Sequence, residues 1–191
     1  MKNTIVRCSI LGSILLLICS CAGEVIPKPK GMLRLSYPEP KYIEVTSPCP
    51  YTFEKNEFSE LKRARRNRKC WYNLEYKKLK ATMYLSYYRV DNNLDSLLRD
   101  AQNLTQEHVV KADGIIQGPF VDEKNKVFGM FYEVSGDAAS QSQFYLTDST
   151  RHFLVGSIYF EVKPNYDSIL PAADYLRNDM RHLMETLRWV E

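Results

Sequence analysis

The hydrophobic period changes along this chain, and the change limits what it can fold into. Leu33-Arg34-Leu35-Ser36-Tyr37 and Tyr42-Ile43-Glu44-Val45 alternate apolar and polar residues, as half-buried strands do. Tyr37-Pro38-Glu39-Pro40 interrupts pairing between them. Cys49-Pro50-Tyr51-Thr52-Phe53-Glu54 reads as extended, Trp71 to Tyr76 as a strand, and Thr82 to Val90 as a tyrosine-rich strand. Residues 93–110 then switch period: Leu94, Leu97, Leu98, Ala101 and Leu104 recur at helical spacing, with Asp91, Asn92 or Asn93 as caps. Four strand-like stretches follow, Ile115–Val121, Val127–Val134, Gln143–Thr147 and His152–Val162. Glu123 to Lys126 and Asp148 to Thr150 suit turns between them. The near-continuous apolar character of Val127–Val134 predicts cover on both faces. A second helix is predicted from Pro171, in its first turn, to Trp189, with Leu176, Met180, Leu183, Met184 and Leu187 as its apolar stripe. The sum is an α/β chain: a largely antiparallel sheet flanked by two long helices, an α/β sandwich.

The N-terminus does not belong to that fold. Lys2 and Arg7 precede an apolar run from Ile10 to Ile18, the pattern of a secretory signal. The run ends in Ile18-Cys19-Ser20-Cys21, which resembles a lipobox. Residues 1–20 then form a lipoprotein signal peptide and Cys21 the lipid attachment site; the rival reading is an ordinary signal peptide cut nearby. Residues 21–30, with Pro27 and Pro29, read as a short extended tether. Residues 31–191 are one globular domain's worth of chain. Cys49 and Cys70 remain after Cys8, Cys19 and Cys21 are accounted for. In an exported chain a disulfide between them is expected, with two buried free thiols as the alternative.

Charge is uneven. Lys62, Arg63, Arg65, Arg66, Arg68 and Lys69 crowd into residues 62–69 with no acid among them. With this run and the leader set aside, the remaining chain is net acidic. The run reads as a loop or short exposed helix: either a solvated segment or a contact for an anionic surface, lipid headgroups or an acidic partner. Nucleic acid is an improbable partner outside the cytoplasm. The 13 tyrosines suit strands, and an exposed aromatic sheet face is the sharper reading, one that could stack on a ligand. No catalytic, cofactor-binding or metal-binding signature is evident. His108, His152 and His182 are scattered; His182 and Glu185 share a helix face without further ligands. The expectation is a protein that is not an enzyme and carries no cofactor.

The ordered series Pro27-Lys28-Pro29-Lys30-Gly31, Leu33-Arg34-Leu35, Tyr37-Pro38-Glu39-Pro40-Lys41-Tyr42, Cys49-Pro50-Tyr51-Thr52-Phe53-Glu54 and Cys70-Trp71, behind the Cys21 lipobox, resembles the gliding motility lipoprotein GldD family of the Bacteroidetes. The resemblance covers essentially the whole mature chain; the basic run is not part of it. It implies an outer-membrane lipoprotein, carrying palmitate-type acyl chains on Cys21. It also implies a non-enzymatic assembly or stabilising role in gliding motility and type IX secretion, among other envelope lipoproteins. Residues 22–24 lack a dense acidic run that would resemble a surface-export signal, so a periplasm-facing domain is expected. The alternative is a periplasmic glycan- or lipid-binding lipoprotein. The C-terminal half is also similar to the Mog1/PsbP-like fold, by analogy only. Asp95-Ser96-Leu97, Asp148-Ser149-Thr150 and Asp167-Ser168-Ile169 each resemble an O-glycosylation acceptor of that phylum, with Ser149 and Ser168 placed in loops.

Overall fold

The structure, a computed structural model, describes residues 36–64, 68–106, 111–161 and 166–190. The chain divides into two compact units, residues 1–31 and 32–191, and all the described residues lie in the second. The signal peptide, Cys21, the whole tether and Leu33 to Leu35 of the first predicted strand therefore lie outside the described residues. The same holds for Arg65, Arg66, Asn67 and His108.

Ten strands and two α-helices are described: β1 (Tyr42–Val45), β2 (Tyr51–Asn56), β3 (Glu60–Arg63), β4 (Tyr72–Tyr76), β5 (Ala81–Arg89), α1 (Leu94–Gln106), β6 (Ala112–Asp122), β7 (Val127–Gly136), β8 (Ser142–Thr147), β9 (His152–Phe160), α2 (Tyr166–Thr186) and β10 (Arg188–Trp189). Seven strands form one sheet in the order β3-β4-β5-β9-β8-β7-β6, and β1-β2-β10 form a small second sheet. Every pairing is antiparallel. The α/β class and the antiparallel pairing follow the sequence pattern. Pro119 lies in β6, the sheet's edge strand, where a missing N–H is harmless.

Register divides the large sheet into two unlike faces. Met83 pairs with Ile158, Leu85 with Gly156, Phe144 with Gly156, and Leu74 with Met83. These residues share the inner face, and all the large ones are buried. Gly156 is small for a reason: a Cβ there would meet the Phe144 ring at 2.1 Å. The predicted stripe of α2, Leu176 through Leu187, is buried against this face together with Tyr51 and Phe53 of β2. The outer face carries Thr82, Tyr84, Ser86 and Tyr88 of β5 and Phe153, Val155, Ser157 and Tyr159 of β9. There α1 packs Leu97 and Ala101 onto Phe153.

Four readings are corrected. The basic run does not begin in a loop or helix: Lys62 and Arg63 lie in β3, an edge strand whose Leu61 packs on the core while the cations stay exposed. Edge strands tolerate such charges because no further strand covers them. The last helix starts at Tyr166, so Pro171 lies inside it and not in its first turn. Only one intrahelical bond, to the carbonyl of residue 167, is lost so near the end. The helix stops at Thr186, whose hydroxyl donates to the His182 carbonyl (2.8 Å) and accepts the Glu54 N–H (3.0 Å). Residues 188–189 instead pair with β2. Finally, β7 is covered on both faces only in part, since Phe128, Gly129 and Met130 are half-buried.

Two polar devices hold α2 in place. Asp179, 4% exposed, accepts from Asn56 Nδ2 (2.9 Å) and Tyr42 Oη (2.9 Å) and also bonds Tyr76. It thus joins the helix to β1, β2 and β4. Burial still raises its pKa above the ordinary carboxylate range despite these donors. On the other side of the helix, Glu133 of β7 accepts from Arg177 (2.7 Å) and pairs with Arg181. The Arg181 guanidinium also lies 4.6 Å from the centre of the Phe131 ring.

Cys49 and Cys70 form a disulfide, with Cα atoms 5.4 Å apart, as expected for an exported pair. It joins the lead into β2 to the lead into β4, so the small and large sheets are cross-linked at one end. Tyr51 Oη donates to the Cys70 carbonyl at 2.9 Å beside it.

Replacing both cysteines by alanine should lower unfolding free energy by about 3 kcal/mol, the chain-entropy value for a loop of this length. Chemical denaturation checks it, and an unchanged midpoint would refute the constraint. The Glu133 pKa is lowered: burial pushes it up, but the Arg177 and Arg181 hydrogen bonds outweigh that. Its stabilisation is therefore present above the ordinary glutamate pKa and lost as pH falls through the lowered value. Glu133→Gln should cost about 1 kcal/mol near neutrality. The gap from the wild type should close in acid. A gap that persists below the carboxylate range would assign the loss to packing.

Candidate functional site

The outer sheet face is larger than the helix laid on it. Helix α1 is amphipathic; its buried positions are Leu97, Ala101 and Thr105. These sit over Phe153 and the neighbouring Tyr145, which stack with ring centres 5.6 Å apart. Thr105 Oγ1 donates to Gln143 Oε1 (3.0 Å), fastening the helix's end to β8. The predicted cap is not formed by the Asn93 side chain, which turns back to accept the Asp91 N–H at 2.8 Å. Beside the helix, the described residues leave the outer face of β5 and β9 partly uncovered: Tyr84 is exposed and Ser86, Tyr88 and Val155 are half-buried.

Here lies a cleft of about 790 Å³. By strand register, Ser86, Val155 and Ser157 form its floor, and Tyr84, Tyr88 and Leu104 rise around it. Tyr84 is 44% exposed and meets Tyr159 edge-on at 5.7 Å. Burial raises the Tyr88 pKa, so this phenol is protonated at neutral pH. Trp71 closes one end, edge-on to Tyr88 at 5.4 Å, with its indole N–H donated to the Tyr87 carbonyl at 2.7 Å.

Trp71 also borders two further hollows. One, of about 700 Å³, runs past Tyr84 and Ser86 to Lys62, Arg63 and Glu161. The other, of about 550 Å³, lies against the disulfide and is lined by Arg63, Arg68 and Lys69. Arg68 places its guanidinium 4.9 Å from the centre of the Trp71 ring. Lys62 is engaged by Glu75 and Glu60. The structure thus brings together two features that the sequence leaves separate, the basic run and the tyrosine-rich sheet face. Sequence periodicity marks Tyr84 and Tyr88 as strand residues; it does not mark Trp71 as their junction.

The histidines go elsewhere. His152 is buried, hydrogen-bonded through Nδ1 to Tyr87 Oη (2.8 Å) and stacked on Trp189 at 5.1 Å. Burial lowers its pKa. His182 does not turn to Glu185; its Nε2 lies 2.7 Å from Glu54 and its ring stacks on Tyr42. Among the described residues no cluster of three or more metal-ligating side chains occurs. Nor is any helix there long and apolar enough to cross a membrane. Ser149 is exposed in the β8–β9 turn and Ser96 is exposed on α1. Ser168, placed in a loop by its sequence, lies in the first turn of α2.

A family model described as gliding motility lipoprotein GldD matches residues 22–189. The chain belongs to that family. No curated protein matches it. The GldD match starts one residue after Cys21 and covers every described residue that lines the cleft, so the cleft lies within the family domain.

Tyr84→Ala should change stability by less than about 0.5 kcal/mol, as exposed substitutions do. Phe153→Ala, under α1, should cost about 3–5 kcal/mol. Denaturant melts of the two variants check whether the cleft wall and the α1 core are energetically separate. Equal losses would show that the tyrosine belongs to the core.

Proposed function

We propose that the protein is an outer-membrane lipoprotein that acts without catalysis, assembling or stabilising the gliding motility and type IX secretion-associated machinery. The observation that carries this reading is the GldD family match over residues 22–189. On this reading Cys21 bears the acyl chains, and the domain faces the periplasm. Two or three chains on one residue give stable anchoring where a single chain binds marginally. Confinement to a thin layer raises the effective concentration of the domain for partners in the same membrane, the other envelope lipoproteins of the machinery. The Cys49–Cys70 disulfide agrees with export to an oxidising compartment. The layers suit an α/β sandwich of Mog1/PsbP-like layout, an analogy from which no function follows.

A second reading is a periplasmic glycan- or lipid-binding lipoprotein. The aromatic cleft beside α1 favours it, since ligand sites are concave and mostly apolar with a few polar groups.

Exchanging residues 1–21 for an ordinary cleavable signal peptide should release the exported domain from the membrane fraction and abolish gliding or type IX secretion. Membrane fractionation with a motility or secretion assay checks both. A released form with full function would sink the tethering argument. Pull-down from detergent-solubilised outer membrane should recover other envelope lipoproteins with the tethered form.

A further inference from the structure

The cleft beside α1 is polarised along its length, and the polarity selects a ligand. At its helix end Leu97, Leu104, Phe153 and Val155 are apolar. At its Trp71 end the adjoining hollows carry Arg63, Arg68 and Lys69, which no acid pairs with among the described residues. Glu75 and Glu161 line the same hollow as Arg63, but Glu75 is engaged with Lys62, and the hollow against the disulfide that holds Arg63, Arg68 and Lys69 is lined by no acid; Asp100 lines the cleft from α1. We propose that the cleft binds a single-chain anionic amphipath, with its acyl chain over Ser86 and Val155 and its carboxylate or phosphate head at Arg63, Arg68 and Lys69. This deepens the second reading above and rests on it.

The lining accommodates an acyl chain better than a sugar. The aromatic rings do not form one flat platform on which a sugar could stack. Tyr84 and Tyr159 stand at 73° to one another, Tyr88 meets Trp71 at 67°, and Arg68 covers the indole. The floor has room for a chain laid along it, because the cross-strand partners of Tyr84 and Val155 are both small serines, Ser157 and Ser86. The volume of about 790 Å³ lies within the range of small-molecule sites, about 300–1,000 Å³.

The test uses the full chain carrying Cys21→Ala, so that its own acyl chains cannot compete. Calorimetric titration with octyl, decyl and dodecyl phosphate below micelle formation should show affinity rising about fourfold per methylene. Dodecyl maltoside should bind at least tenfold more weakly than dodecyl phosphate, and inorganic phosphate should not bind measurably. Ser86→Trp, which fills the floor, should weaken dodecyl phosphate at least tenfold. Arg63→Glu with Arg68→Glu should remove the preference for phosphate over maltoside and leave the chain-length slope intact. The second variant stands if the first fails to fold. A flat chain-length series, or equal affinity for maltoside and phosphate, overturns the proposal. Binding to anionic vesicles without binding to monomeric dodecyl phosphate overturns it too. Binding of a neutral oligosaccharide, abolished by Ser86→Trp and with a flat alkyl series, would overturn it while keeping the ligand-binding reading. Binding of neither class would remove both.

Discussion

A seven-stranded sheet has two faces to cover, and the described residues supply one long α-helix and one short one to cover them. Strands spaced about 4.8 Å apart make such a sheet about 30 Å wide. Helix α2, with 21 residues, is about 30 Å long, whereas α1, with 13, is about 20 Å long and about 10 Å across. The long helix and the small β1-β2-β10 sheet share the inner face. The short helix covers the outer face at Phe153 and leaves Tyr84, Ser86 and Ser157 beside it. The cleft follows from this mismatch and needs no special loop to create it.

The inner face is closed by more than apolar contact. Hydrophobic burial is non-directional and would permit α2 to slide or rotate on the sheet. Asp179 restricts this, because its oxygens find donors only where Tyr42, Asn56 and Tyr76 converge. A buried carboxylate without those donors would carry a desolvation penalty of about 1–3 kcal/mol or more. Glu133 adds a second fixed point about half a helical turn away, through Arg177 and Arg181. Thr186 then ends the helix on β2, and β10 extends the same strand's ladder. The C-terminus is thereby part of the fold, tied to the strand that the disulfide also holds.

Most of this architecture was legible from period alone. Two helical stripes and the runs from Tyr42 onward are enough to give the antiparallel sheet with its two helices, because strands such as β4 alternate and β7 and β9 are long apolar runs. The misplacements have local causes. Residues 60–63 look like the start of a charged loop because an edge strand needs only one inward residue, Leu61, and its cations conceal the pattern. Pro171 resembles a helix start because proline suits a first turn, yet the apolar Ile169 already belongs to the buried stripe. Asp179 went unmarked, although a carboxylate lying between Leu176 and Leu183 on an apolar stripe is a visible signal. Its donors come from three distant strands, and only the folded chain brings them together. Trp71 was read as a strand residue for the same reason. Its position beside Cys70 says nothing of Tyr88, which reaches it through the β4–β5 pairing.

The two faces are energetically distinct, and this matters for what the outer one can do. Most of the buried apolar side chains lie on the inner face, with the stripe of α2, the Asp179 node and the disulfide on that side or at its edge, and Phe153 under α1 forms a smaller core on the outer one. Tyr84, exposed, and Ser86, half-buried, contribute little to folding, since they face the cleft and not α2, whereas Ser157 is buried beneath them. Substitution in the cleft is therefore expected to alter recognition more than folding, as surface residues away from the core usually shift stability by less than about 0.5 kcal/mol. Trp71 is the exception. Its indole N–H bonds the backbone of β5, its ring carries Arg68, and its chain neighbour Cys70 closes the disulfide. Trp71 thereby joins the disulfide lead to the wall of the cleft and to its cationic end.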